Sequence, residues 1–158
     1  MSDLTHFDPE GGSRMVDVGA KEVTHRVGRA SGRVRMKNTT IELVRNRKLA
    51  KGDVLEVARL AGIMAAKRTH ELVPLCHQVP LDAVELAFDF PDPQRVSIEA
   101  TARATARTGV EMEALVAVSV AALAIYDMCK AVDRDIVIEQ VQLEEKSGGR
   151  SGHYRRTP

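Results

Sequence analysis

From Val27 to Met36, small or apolar residues (Ala30, Gly32, Val34, Met36) alternate with Arg29, Ser31, Arg33 and Arg35. A period of two predicts a half-buried strand. The stretch "KGDVLEVARLAGIMAAKRTHELVP" changes to a helical period, with Val54, Val57, Ala58, Ala61 and Ala65 as its apolar stripe. Asp53 stands where an N-cap belongs, Glu56 follows three residues on, and Pro74 ends the run. Alternation returns twice. Val84, Leu86, Phe88 and Phe90 interleave with Glu85, Ala87 and Asp89, and after a turn at Pro91 to Gln94, Val96, Ile98, Ala100 and Ala102 do the same. A long apolar helix follows from Thr108 to Lys130, then a strand near Asp135 to Leu143. The order predicts an α+β fold, ferredoxin-like β-α-β-β-α-β, with an antiparallel sheet and two helices on one face.

The apolar helix reads "TGVEMEALVAVSVAALAIYDMCK", and its uncharged run from Ala114 to Tyr126 falls short of the about 20 residues needed to span a bilayer. Its composition predicts a helix buried on nearly all sides. Small residues (Ala114, Ala117, Ser119, Ala121, Ala122, Ala124) let neighbouring backbones come close. A small domain rarely encloses one helix completely, so covering this one calls for a second subunit.

A chain of 158 residues is expected to form a single domain over 1–158, with 1–14 and 147–158 read as mobile ends. A hydrophobic share of 44% and charged share of 28% are those of a globular protein. The net charge of +1 announces neither a nucleic-acid nor a membrane partner. "MSDLTHFDPEGGSR" has no apolar run, and two cysteines, Cys76 and Cys129, fit a reduced compartment. A cytoplasmic protein is the simplest expectation.

Four groups of polar residues stand out. Asp127 and Lys130 are three apart on a helix and share a face. Acids at a helix N-terminus and a cation at its C-terminus follow from the macrodipole, but an Asp near the C-terminus opposes it. Glu111 and Glu113 point together in extended backbone and diverge in a helix, so their convergence calls for an extended approach to the helix. In "VPLCHQVP", Pro74 and Pro80 bracket a turn that presents Cys76 and His77. No metal-ligand spacing is present, and a buried structural Cys76 is weighed above a nucleophile. His77, held between prolines, suits proton transfer or ligand contact. Lys51 in "KGD", Lys67 in "AAKR" and Lys146 in "EKSGGRSG" are cations beside glycines or helix ends. Each alone is most often a solvated lysine; an anion contact is the weaker alternative, and there is no P-loop.

"MVDVGAK", "KGDVLEVARLAGIMAAKRTHELVPLCH", "TGVEMEALVAVSVAALAIYDMCKAVD" and "KSGGRSG" together resemble the MoaC family of molybdenum cofactor biosynthesis, from about Leu4 to Gly152. Gln78 departs from the family's common Pro, and Val116 and Ala124 from its common Thr. The resemblance implies a cytoplasmic lyase, a cyclic pyranopterin monophosphate synthase. Such an enzyme converts 3′,8-cyclo-7,8-dihydro-GTP, supplied by a radical enzyme, to cyclic pyranopterin monophosphate and diphosphate. It also implies a homohexamer, a trimer of dimers, with sites at subunit interfaces. Carried over by position, the catalytic acid matches Asp127, with Lys130 beside it and Lys51 and His77 as further catalytic candidates. Leu75, Cys76, His77, Met112 and Glu113 match substrate contacts, and Glu111, Arg26, Lys67 and Lys146 match pocket-lining positions. No metal and no cofactor are implied, and the sequence does not indicate whether Mg²⁺ accompanies the triphosphate.

Two other classes compete. Ferredoxin-like sheets serve as RNA-binding modules, but Phe88 and Phe90 share the core face here and no RNP1 pattern exists. The other is a regulatory ligand-binding oligomer without catalysis, against which Asp127 beside Lys130 weighs only mildly.

Overall fold

The computed structural model describes residues 6–157, so the expectation of mobility at 1–5 and 158 lies outside the described residues. In chain order the elements are β1 (Thr24–Arg35), α1 (Asn38–Arg45), α2 (Val54–Ala66), α3 (Thr69–Leu72), β2 (Ala83–Asp92), β3 (Arg95–Ala106), α4 (Glu111–Cys129), β4 (Val137–Ser147) and β5 (Tyr154–Arg155). The sheet runs β2-β3-β1-β4-β5 with every neighbouring pair antiparallel. Its first four strands have the ferredoxin-like order.

One face of β1 carries Arg26, Gly28, Ala30, Gly32 and Val34, all buried beneath α4, which packs along β1, β3 and β4 with α2 at its side. Small residues on this face bring the helix down onto the sheet. A Cβ at Gly28 would lie 2.7 Å from the carbonyl oxygen of Val110, so glycine there sets the start of α4 against β1. The opposite face is a charged ladder. Arg29 pairs with Glu99 and Glu145, Arg35 and Arg95 share Glu139, and Arg103 meets Glu85. Such partly exposed pairs add little stability each. They keep that face wet and polar.

Several boundaries differ from the sequence reading. The first helical run is two helices, because the chain turns at Lys67 and Arg68 between α2 and α3. Asp53 does cap α2, its Oδ1 accepting from the amides of Leu55 and Glu56 at 3.2 and 3.3 Å. The face of α2 turned inward is Val54, Ala58, Gly62, Ala65 and Ala66, whereas Val57 is exposed. The hairpin turn falls at Asp92 to Arg95, after Pro91. The last main strand, β4, runs on to Ser147 and takes Lys146 with it. Beyond it the chain turns back, and Tyr154 and Arg155 pair with Lys146 and Glu145.

Helix α1 was not anticipated. Its N-cap residue, Lys37, offers no side-chain bond, and the cap comes from far along the chain. The buried carboxylate of Asp133 accepts from the Lys37 amide at 2.9 Å and the Thr40 hydroxyl at 3.1 Å. Burial alone would push this carboxyl up; hydrogen bonds from the Lys37 and Asp135 amides and from Thr40 win, and hold it below its ordinary value.

Among the described residues α4 alone is long and apolar enough to cross a bilayer. It is a core helix, with Ala114, Ala117, Val118, Ala121, Ala122 and Ile125 fully covered. Burial is one-sided, not nearly complete as the composition predicted. Leu123 is 57% exposed, and Val57, Leu60 and Met64 of α2 are 42%, 60% and 49% exposed. The two helices therefore present an uncovered apolar surface on the side away from the sheet.

Candidate functional site

The candidate residues gather at the two ends of α4. At its N-terminal end, Leu75, Cys76 and His77 line a cavity of about 310 Å³ together with Glu111, Met112 and Glu113. The turn between Pro74 and Pro80 supplies the first three residues, and the first turn of α4 supplies the others. Both glutamates face this cavity although both are helical. An extended approach is not needed, because the cavity wraps around the end of the helix.

Glu113 is buried, 4% exposed. Burial, with a smaller push from the Glu111 charge, raises its carboxyl to about 7, so near neutrality it holds or releases a proton readily. Burial also raises the Cys76 thiol, and Glu113 adds to this. A thiol so placed is a poor nucleophile. Glu111 is only partly covered, and Lys146 approaches it at 4.0 Å from β4.

A second, larger cavity of about 590 Å³ adjoins the first, and Lys21, Thr108, Gly109 and Glu111 line both. Arg26 reaches it from β1. The guanidinium is buried and donates to the carbonyls of Ala106 and Arg107 at 3.3 and 3.2 Å.

At the C-terminal end of α4, Asp127 sits between two lysines. Lys130 Nζ lies 2.7 Å from Oδ1, and Lys51 Nζ lies 3.8 Å from Oδ2 while donating to the Asp127 carbonyl at 2.9 Å. The Lys130 hydrogen bond, the charge of Lys130 and that of Lys51 hold the Asp127 carboxyl below the usual range. In return Asp127 raises the Lys130 ammonium. This is a carboxylate held ionised beside an ammonium that keeps its charge. Lys51 also answers the helix dipole, since the carbonyl it binds is in the last turn.

One chain thus brings Leu75, Cys76, His77, Glu111, Met112 and Glu113 together, with Arg26 and Lys146 close by, and separately joins Lys51, Asp127 and Lys130. Lys67 is exposed at the C-cap of α2 and lines neither cavity. The sequence reading did not single out Lys21, Arg107 or Arg150 as site candidates. It also passed over His6, Val16 and Val18, which bring the N-terminal segment over the smaller cavity. "MVDVGAK" enters through the family likeness, but it is too short to carry a period that would place it against a cavity. Among the described residues no group of three or more His, Cys, Asp or Glu is placed to hold a metal ion.

A ferredoxin-like sheet thus carries acids and a Cys–His turn at one end of α4 and a Lys–Asp–Lys group at the other, side chains of the class that serves acid–base chemistry. Comparison with known proteins gives that class a family. The MoaC family matches residues 15–149. The chain is 60% identical over 158 residues to the cyclic pyranopterin monophosphate synthase of Magnetococcus marinus, covering 99% of this chain and 96% of the relative. It is 57% identical over 157 residues to the enzyme of that name from Heliobacterium modesticaldum, covering 99% of each. Cyclic pyranopterin monophosphate synthase 3 of Mycobacterium bovis is 59% identical over 153 residues, 97% of this chain and 86% of the relative. The chain belongs to the MoaC family.

Proposed function

We propose that the protein is a cyclic pyranopterin monophosphate synthase, acting on 3′,8-cyclo-7,8-dihydro-GTP and releasing diphosphate. The observation that carries this reading is the whole-length identity to enzymes of that name, joined to acid–base groups of opposite character at the two ends of α4.

The chemistry asks for several proton transfers and one phosphoryl displacement. A hydroxyl on the sugar-derived carbons attacks the α-phosphorus, the bond to the bridging oxygen breaks, and diphosphate leaves with the electron pair. Asp127, ionised between Lys51 and Lys130, accepts protons, and the lysines balance charge that develops on oxygen. Glu113 and Glu111 meet the amino and ring N–H groups of the purine-derived end, with Cys76 and His77 as walls. No cofactor enters this reading.

The site is completed between chains in a homohexamer, a trimer of dimers. The uncovered apolar surface of Val57, Leu60, Met64 and Leu123 supports association. Glu113 and Asp127, 14 residues apart on α4, are separated by about 21 Å at 1.5 Å per residue, too far for one compact ring system to reach both. The protein works in the cytoplasm, downstream of the radical enzyme that makes its substrate.

Incubation with the cyclic GTP intermediate tests the function. Equal amounts of diphosphate and cyclic pyranopterin monophosphate support it. Unchanged substrate, with the protein folded and oligomeric, overturns it.

A further inference from the structure

The pairing of β4 with β1 is broken at two places. Val34 stands opposite Ile138 and Arg33 opposite Glu139; then Ser31 faces Gln142 and Ala30 faces Leu143; then Arg29 faces Glu145 and Gly28 faces Lys146. Gln140 and Val141 thus share Gly32, with Gln140 at a left-handed φ of 53°, and Glu144 and Glu145 share Arg29. Two residues against one is the count of a β-bulge. Each shift by one residue turns every later side chain to the other face of the sheet. The first bulge reverses the alternation and the second restores it. Leu143 and Lys146 therefore lie on the face that α4 covers, beside Ala30 and Gly28, and Lys146 comes within 4.0 Å of Glu111. Without the bulge at Glu144, Lys146 would lie opposite Val27 on the charged outer face. Glu145 would take its place opposite Gly28, an acid turned towards Glu111.

The charge at Arg29 does not choose between these registers, because Glu144 and Glu145 are both acids and either can meet the guanidinium. The choice falls to the contacts around Glu144. Its carboxylate accepts from the Ser31 hydroxyl, and from Nε2 of Gln142 at 2.8 Å. Those two bonds, the one from Ser31 foremost, hold the carboxyl below its ordinary value. A bulge also interrupts the backbone ladder, and the segment after β5 supplies partners there. The Arg156 amide donates to the Glu144 carbonyl at 2.8 Å, and Arg156 Nε donates to the Leu143 carbonyl at 2.8 Å.

We infer that Glu144 is a positioning residue for Lys146: held by Ser31, Gln142 and Arg156, its bulge sets the register that turns Lys146 towards Glu111 and keeps Glu145 away. That turnover needs Lys146 rests on the synthase reading, whereas the register does not.

A cross-strand disulfide reads the register in the intact oligomer. Val27→Cys and Ser147→Cys stand opposite one another on the outer face, close enough to bond under glutathione oxidation. After a slip of one residue, position 147 lies opposite Arg26 and points to the other face. Ser31→Ala combined with Gln142→Ala should lower closure of the pair at least about threefold, because the bulge loses both side-chain donors. Ser31→Thr, which keeps the hydroxyl, should leave closure as it is. Deleting Glu144 makes the pairing regular from Ala30 to Val27, so closure should be full there even with Ser31→Ala and Gln142→Ala. Closure unaffected by the paired substitution, or lost in a folded chain lacking Glu144, would overturn the inference; the paired substitution decides alone if the deleted chain does not fold. In turnover of the cyclic GTP intermediate, the paired substitution should lower kcat/KM about tenfold, but within about twofold once Lys146→Ala is present. Equal losses in both backgrounds would also overturn it, since a merely structural role is additive. Absence of turnover in the unaltered protein removes the synthase reading and leaves the disulfide to judge the register.

Discussion

Lys51 Nζ donates to the backbone carbonyl of Asp127 at 2.9 Å and stands 3.8 Å from the same residue's carboxylate. Lys130, one turn on, takes the other carboxylate oxygen at 2.7 Å. The last turn of α4 is thereby pinned to the loop before α2, and its one acid is held ionised.

Catalysis should fail at this group before the fold does. Asp127→Asn and Lys130→Ala should each lower turnover by at least about 10², the usual scale for lost acid–base catalysis. Both side chains are exposed, so thermal unfolding should move little. Turnover of both variants with the cyclic GTP intermediate checks this, and near-normal rates in either contradict the assignment.

Glu113 makes stability depend on pH. Its folded-state carboxyl stays protonated up to about 7, whereas the unfolded chain releases that proton near 4.5. The folded state binds more protons in that window, so this group's contribution falls as pH rises from 4.5 to 7 and is then flat. The shift is worth roughly 3 kcal/mol at most. Urea unfolding at pH 5 and pH 8, at one protein concentration, should show the loss, and Glu113→Gln should flatten it. A slope unchanged by the substitution would contradict the buried, proton-holding carboxyl.

Cys76 should prove dispensable as a nucleophile. Its thiol is pushed up by burial and by the charge of Glu113, which keeps the thiolate scarce. Cys76→Ser should retain most activity. A mass increment on Cys76 from trapped substrate would refute this.

Asp133→Ala should cost stability rather than chemistry. It would strand the Lys37 amide and the buried Thr40 hydroxyl, each left unpaired at about 1–3 kcal/mol. Denaturant midpoints should fall while the turnover of the remaining folded enzyme persists.

The same residue marks where sequence reading stops. Strands β1, β2 and β3 announce themselves through a period of two and α4 through its long uncharged run, and Asp53 caps α2 from the position next to it. Helix α1 takes its cap from Asp133, 96 residues beyond Lys37, so its start has no local signature. Val57 belongs to the apolar pattern of α2 yet points outward, because periodicity marks an apolar surface without saying whether its own chain covers it. Asp127 was legible as an acid at the unfavourable end of a helix. Lys21, Arg107 and Arg150 were not, since they meet only when β3, β4 and the N-terminal segment close around Arg26.

The central claim is that the two ends of α4 serve different active sites, each completed by another chain. Subunit mixing tests it most directly. Glu113→Ala chains and Asp127→Asn chains, each inactive alone, are unfolded together and reassembled, with mixed oligomers verified by the masses of differently tagged chains. If sites are shared, some interfaces receive Glu113 from one chain and Asp127 from the other, and activity returns. If every site lies within one chain, each keeps a lesion, and mixed oligomers that stay inactive contradict the account.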